Sequence, residues 1–268
     1  MNPAPDDRGQ ANLIGFILLF GFLLTTYSIF QVSVIPNQNA EIEYHHYQDV
    51  RSDMTDLYAE IVTPGDADPG LQVLVPIDLG MDYPPRLLFI NPPPAAGTIQ
   101  STDTEPIKIN GANATNICNE EYNTTGIVYS PGYHETTQPD VRFDNGLLYV
   151  ETADGEFAVL EQRPLLRNGE INLYRLSGRL RPQSGTNTLP LELTDSDTPR
   201  NTTQNVPVTN ITLPSDLPAD AWNNSSALSD GLTAVNATNG VDGVTISNFP
   251  DDPPYTVNCQ SVGLGQSA

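Results

Sequence analysis

The cysteines and histidines are the residues of this 268-residue chain best suited to chemistry, and they are few. Cys118 and Cys259 cannot build a zinc ribbon or an iron–sulfur site, because each of those needs more thiolates. In an oxidising compartment the two cysteines would pair as a disulfide. The alternative is two buried thiols, and the sequence leaves both open.

The three histidines do not form a recognisable metal or catalytic site. His45 and His46 are adjacent on a predicted helix, so their side chains point about 100° apart and are poorly placed to hold one ion. We expect both on a solvated helix surface. His134 lies in the segment YSPGYHETT, which has no nucleophile elbow beside it.

Other chemical signatures are also missing. The sequence contains no phosphate-binding loop, no dinucleotide fingerprint and no zincin motif, which argues against an enzyme and against a bound cofactor. The acidic pairs Asp66/Asp68 and Asp195/Asp197 do not continue into a calcium-binding loop. We expect solvated acidic loops there and no metal site.

The charge balance excludes one class of partner. Asp and Glu number 33 against 11 Lys and Arg, which gives a net charge of −22. A chain this acidic is repelled by phosphate backbones, so nucleic-acid binding is excluded. Molar salt screens charges over ~3 Å and would remove their mutual repulsion, which suggests a halophilic organism.

One long apolar segment precedes all the cysteines and histidines in the chain. Residues 13–35 contain no charged side chain and, as a helix, would reach ~34 Å, enough to cross a hydrocarbon core of ~30 Å. A cleaved secretory signal is the alternative, but the run is longer than usual and contains Gln31 and Pro36 where small residues should prepare a cut. We therefore predict a cytoplasmic leader at 1–9, a transmembrane helix at 10–36 and an extracellular remainder.

The residues before this segment carry a family resemblance. Arg8, Gly9 and Gln10 precede an uncharged 20-residue run, which resembles the class III signal of archaeal type IV pilins and archaellins. The resemblance implies a cut after Gly9 by a prepilin-type peptidase. Many pilins carry a Glu where this chain has Ile14. Together with the segments DLPADAWNNSSAL and GVTISNFPDDPPYTVNCQSVGLG, this start looks like uncharacterised haloarchaeal surface proteins with pilin-type N-termini.

A second helix is predicted to follow the first. Within residues 37–63 an apolar stripe recurs at helical spacing, with Asn37 or Asn39 as the cap and Pro64 as the stop. The stripe consists of Tyr47, Val50, Met54, Leu57 and Ile61. Joined to the apolar segment through a kink at Pro36, this stalk would extend one rod to ~75 Å. The alternative is a membrane anchor followed by an ordinary core helix.

The sequence pattern of residues 64–268 predicts a β-rich head. Short apolar runs separated by Pro, Gly, Asn and Asp are typical of a sandwich, and Asp144-Asn145-Gly146 predicts a tight hairpin. One helix is predicted at 218–228. The predicted strands are 71–77, 86–90, 106–109, 126–130, 141–143, 147–151, 157–161, 170–176, 189–193, 206–213, 241–246 and 255–262. The fold class is therefore α+β: a long N-terminal transmembrane and stalk helix, then an antiparallel, sandwich-like extracellular head.

Seven N-x-S/T sequons follow the apolar segment, more than composition alone predicts. Each lies in a predicted loop or helix end, and we expect at least one to be glycosylated. They are Asn113, Asn123, Asn201, Asn210, Asn223, Asn224 and Asn236.

These features predict a pilin-like structural or adhesive subunit at the cell surface. Its partners would be the membrane, a prepilin-type peptidase and other copies or other pilin-like subunits, and it would reside in the membrane as a single-pass protein or in a surface filament. The alternatives are a non-polymerising, membrane-anchored binding protein and a surface enzyme.

Overall fold

A long helical run opens the described part of the chain. The computed structural model describes residues 7–63, 72–118, 121–152, 154–228, 231–238, 242–250 and 254–265. The helix α1 (Asp7–Ile29) continues through a π-helical turn (Phe30–Val34) into α2 (Ile35–Val62). The run is long and apolar enough near its start to cross a membrane, by length and composition.

The junction between the two helices, where the sequence predicts a kink at Pro36, is a π-helical turn. The Ile35 N–H donates to the Phe30 carbonyl, five residues back, which is the π-helical pattern. Pro36 has no N–H to donate, and its ring crowds the carbonyl of Val32 in an α-helix. A widened turn directly before the proline relieves that conflict. Asn37 and Asn39 therefore lie inside continuous helix and cap nothing.

Short strands and two short helices make up the rest. These are β1 (Gln72–Asp78), β2 (Gly80–Met81), β3 (Ala95–Ser101), β4 (Glu105–Pro106), β5 (Lys108–Ile109), β6 (Ala112–Asn113), α3 (Thr115–Cys118), β7 (Asn123–Thr124), β8 (Ile127–Ser130), β9 (Asp140–Asp144), β10 (Leu147–Glu151), β11 (Phe157–Gln162), β12 (Leu166–Arg167), β13 (Glu170–Ser177), β14 (Gln183–Gly185), β15 (Thr188–Val206), β16 (Ile211–Pro214), α4 (Ala219–Asn224), β17 (Thr233–Asn236), β18 (Gly243–Ser247) and β19 (Tyr255–Gly265).

The strands form several sheets that are almost wholly antiparallel. One sheet has the order β1-β15-β19-β13-β12, a second β11-β10-β9-β8-β3-β14 with β2 beside β3, and a third β17-β18-β16-β5-β6. Among the described strands, β13 and β19 are the parallel pair. The predicted α+β class, a long apolar helix followed by a β-rich region, is confirmed.

The stalk helix packs into the head along the predicted stripe. Val50, Met54 and Leu57 are fully buried, and they share one hydrophobic cluster with side chains from the first and second sheets. A second cluster surrounds Trp222 beside the third sheet. Within this cluster a disulfide joins Cys118 of α3 to Cys259 of β19, with 5.6 Å between the Cα atoms. Of the two states that the sequence left open, the structure has the disulfide.

Several local predictions match the structure and others do not. Asn145 and Gly146, both with positive φ, form the turn of the predicted hairpin between β9 and β10. The predicted helix at 218–228 shortens to α4, and Ser215, which precedes it, bonds Asp144 and Trp222. The predicted strand at 86–90 is wrong, because this segment lies along the long helix and joins no sheet. The acidic loop predicted at Asp66 and Asp68 lies outside the described residues.

Candidate functional site

The first half of the helical run leaves its apolar side chains exposed. Phe16, Leu18 and Phe22 are 65–68% exposed, and none of the most apolar window of the helix is buried by the protein. A soluble helix would hide such a face in a core. Residues 11–31, together with the loop 82–94 described below, form what we call the helix–loop surface.

The hydroxyl groups of this helix are satisfied within it. Thr25, Thr26 and Ser28 each donate a hydrogen bond to the carbonyl four residues earlier, at 2.8–2.9 Å. A hydroxyl that has already found a partner costs less to transfer out of water. Gly15 and Gly21 have open space around them, so another helix can approach closely there.

Loop 82–94 connects β2 to β3 and lies along this helix. Gln31 bonds both backbone groups of Ile90: its Nε2 donates to the Ile90 carbonyl at 2.8 Å, and its Oε1 accepts from the Ile90 N–H at 3.1 Å. Tyr27 donates its hydroxyl to the Leu88 carbonyl at 2.7 Å. Sequence reasoning missed Gln31, because a lone amide in an apolar run carries no signal of its partner.

Aromatic rings fix the tip of the loop. The Phe89 ring stacks on Tyr27 with 5.3 Å between ring centroids, and lies 4.7 Å from the Phe30 ring. This geometry is typical of favourable aromatic pairs. The tip is therefore attached by both polar and aromatic contacts to one turn of the helix.

The charged start of the loop lies further along the helix. The guanidinium of Arg86 donates to Asn39 Oδ1 at 2.8 Å, to Gln38 Oε1 at 3.1 Å and to the Asn91 side chain. At 1.5 Å per residue, Gln38 lies roughly 10 Å beyond Gln31 along the axis. The charged part of the loop, at Arg86, therefore lies beside α2, and its apolar tip lies closer to α1.

Glu43 attaches α2 to the head. Its carboxylate is fully buried and accepts hydrogen bonds from the Tyr83 hydroxyl, from the backbone N–H groups of 134–136 and from the Thr136 hydroxyl. Burial raises the pKa of Glu43, but these donors outweigh it and leave the pKa below its ordinary value. A buried carboxylate with this many donors is a strong positional constraint. No local pattern in the sequence indicates this role of Glu43.

The histidines are placed differently from one another. His45 is exposed, as predicted. His46 is partly buried, which corrects its predicted solvated position: its Nδ1 lies 2.6 Å from the Tyr133 hydroxyl, and burial lowers its pKa. The backbone N–H of His134 donates a hydrogen bond to the Glu43 carboxylate. Among the described residues, no group of three or more His, Cys, Asp or Glu side chains is arranged to hold a metal ion.

A cleft of about 240 Å³ in the head contains the most perturbed carboxyl. Asp144 is buried at the end of β9, where Tyr149 donates to it at 2.9 Å and Ser215 at 3.1 Å. Burial raises the pKa of Asp144 to about 7. Its partners tie the β9–β10 hairpin to the segment before α4, and the described lining of this cleft contains no histidine, lysine or cysteine.

The sequons are spread over the head. Asn210 precedes β16, and Asn223 and Asn224 end α4, while Asn113, Asn123, Asn201 and Asn236 lie in strands, which corrects their predicted placement in loops. The amide of Asn223 bonds both backbone groups of Ala234. The predicted processing residues Arg8, Gly9 and Gln10 lie in the first turns of α1.

Comparisons with known proteins identify one distant relative and no family. A relative described as an uncharacterized protein from Archaeoglobus fulgidus is 22% identical over 191 residues, which cover 70% of this chain and 32% of the relative. The chain therefore spans about a third of that relative's length. No family model and no solved structure matches the chain.

Proposed function

We propose that this protein is a pilin-like structural or adhesive subunit of the cell surface, anchored or assembled through α1, with its head outside the cell. The observation that carries the proposal is an apolar helix whose side chains the head leaves exposed, while the same helical run continues into the head as α2. Such a face has to be covered by lipid or by the helices of other subunits. The hydroxyl groups of α1 already donate hydrogen bonds within the helix, which suits burial in lipid or between helices.

The start of the chain supplies the assembly route. Arg8-Gly9-Gln10 resembles a class III signal, so a prepilin-type peptidase would cut after Gly9 and release a chain whose α1 begins at the new N-terminus. Extraction from lipid would then bury α1 helices against one another, with Gly15 and Gly21 at points of close approach. The acidic surface suits molar salt, and the exposed sequons Asn224 and Asn236 suit glycosylation.

A second candidate is a membrane-anchored binding protein that does not polymerise. The observation in its favour is Ile14, which stands where many pilins carry a Glu. Retention of residues 1–9 in the mature protein would favour this candidate.

Mass spectrometry of the N-terminus tests the proposal. We expect protein extracted from membranes to begin at Gln10, and a Gly9→Leu variant to keep its leader. An Asn12→Ala variant, changed just beyond the expected cut, is the matched control and should be processed normally. A mature chain that begins near Ala40 or Glu41 would mean a conventional secreted protein and would refute the proposal.

A further inference from the structure

The tip of loop 82–94 carries a small cluster of outward-facing apolar side chains. Leu87 is 99% exposed, Leu88 69% and Ile90 76%. Elsewhere in the described part of the chain outside the long helices, large exposed apolar side chains are Val73, Leu74 and Val235, which lie on strands. Three consecutive or near-consecutive exposed side chains form a patch, and patches of this kind mark interaction surfaces.

The position of the patch along the helix indicates what covers it. A hydrocarbon core of ~30 Å takes about 20 helical residues, so a span that begins at Ala11 ends at about Phe30. The tip contacts Tyr27, Phe30 and Gln31, at the outer end of that span. Aromatic side chains are enriched at this depth in membrane proteins, where one part of the ring is apolar and the other is wet. The patch is therefore continuous with the face of α1 that the membrane would cover.

Part of the backbone of the tip is hydrogen-bonded to side chains of the helix. Irregular backbone is tolerated at membrane depth only where its polar groups have partners. Here the helix supplies partners for three backbone groups of the tip: Tyr27 bonds the Leu88 carbonyl, and Gln31 bonds the N–H and the carbonyl of Ile90. The charge of Arg86 is held about 10 Å further out, against Gln38 and Asn39.

We propose that residues 87–90 insert into the outer interface of the lipid bilayer beside α1, as a second contact of the head with the membrane. This inference rests on the proposed function only in that it places α1 in the membrane. Helix and loop together would fix the tilt and rotation of the head above the bilayer, since two separate contacts restrain what one helix leaves free. The occupant is lipid, recognised by apolar side chains and by the aromatic group at the interface.

Depth-dependent fluorescence quenching tests the insertion. The full chain carrying Leu87→Cys is labelled with an environment-sensitive dye, without reductant, and reconstituted into dioleoylphosphatidylcholine vesicles. Leu87 contacts nothing in the head, and Cys118 and Cys259 are buried in a disulfide, so the label is confined to the tip. We expect blue-shifted emission that is mostly lost when the vesicles contain lipid with a nitroxide near the top of the acyl chain.

Val235→Cys and Leu74→Cys are the matched controls, because each replaces an exposed apolar residue elsewhere on the head. Their labels should keep water-like emission and remain unquenched. Emission from Leu87→Cys that matches the controls would overturn the inference. A blue shift that appears only at high protein-to-lipid ratios, without quenching, would identify a second copy as the occupant and would also overturn it.

Vesicle flotation separates this inference from the proposed function. If the chain floats with the vesicles and resists alkaline extraction, α1 is inserted, and the quenching result then bears on the loop alone. If the chain does not float with the vesicles, the anchor itself fails, and the inference falls with it.

Discussion

Among the described carboxyl groups, Asp144 is the one whose ionisation is most strongly coupled to the fold. Its ordinary pKa is near 3.9, whereas burial raises the folded value to about 7. The folded state therefore binds more protons than the unfolded state between these values, and its stability falls as pH rises from about 4 to about 7. The size of this decline is on the order of 4 kcal/mol, which follows from the two pKa values.

We predict that Asp144→Asn removes this decline, because asparagine has no charge to bury. Urea unfolding of the full chain in non-ionic detergent at pH 5 and pH 8 measures the effect, and the variant should lose less stability over this interval than the natural protein. Asp220→Asn removes an exposed carboxylate from α4 and should leave the pH dependence unchanged. Equal pH dependence in the natural protein and Asp144→Asn would contradict the prediction.

At the scale of elements, the contact of α2 with the 134–136 segment depends on one carboxylate. We predict that Glu43→Gln destabilises the protein by about 1–3 kcal/mol, because the amide loses the charge and turns an N–H group toward backbone N–H donors. The pKa of Glu43 is lowered in the folded state, so its contribution is present above its unfolded pKa and is lost as pH falls through the folded value. Urea unfolding at pH 7 measures the loss.

Glu41→Gln is the control for that experiment, since Glu41 is exposed two residues earlier on the same helix. It should leave the unfolding midpoint unchanged. Amide hydrogen exchange adds a local measurement, in which 134–136 should exchange faster in Glu43→Gln alone. Unchanged exchange and equal midpoints would mean that Glu43 does not hold the helix to the head.

Some elements could be predicted from local sequence patterns and others could not. The stripe from Tyr47 to Ile61 predicted a buried helix face because its period is local, and the Asn145-Gly146 hairpin was predicted because only a few residues tolerate that turn. The run at 86–90 has the composition of a strand, but it is flanked by prolines, and its backbone bonds the side chain of Gln31 on the long helix instead of a neighbouring strand. Strand β3 was missed because its sequence AAGTIQS has one bulky apolar side chain; Gly97 must be small, since the Leu79 carbonyl approaches where a Cβ would lie.

The Glu43 site and the helix–loop surface share the reason why sequence could not reveal them. Gln31 and Ile90 are 59 residues apart, and Glu43 and Thr136 are 93 apart. Nothing in a local pattern links such positions. The sequence could predict that an apolar helix leads into a β-rich head, but the loop and the carboxylate that fix the two to each other emerge only from the tertiary structure.

At the scale of the whole molecule, the net charge of −22 is the property with the widest consequence. Ionic screening extends over about 10 Å at 0.1 M salt and about 3 Å at 1 M, so the repulsion among the acidic side chains weakens as salt rises. We predict that the melting temperature of the full chain in non-ionic detergent is higher at 2 M than at 0.1 M KCl. A change of ~1–2 kcal/mol corresponds to roughly 2–8 °C for a domain of this size.

A charge-reduced variant distinguishes this electrostatic effect from a general effect of salt on apolar burial. Asp82, Asp154 and Asp220 are exposed, and changing all three to Asn removes three negative charges without altering the core. This variant should melt higher than the natural protein at 0.1 M KCl and approach it at 2 M, because screening then makes the removed charges irrelevant. If both proteins gain the same number of degrees between the two salt concentrations, the gain comes from apolar burial, and the acidity of the surface does not set the salt at which this protein is stable.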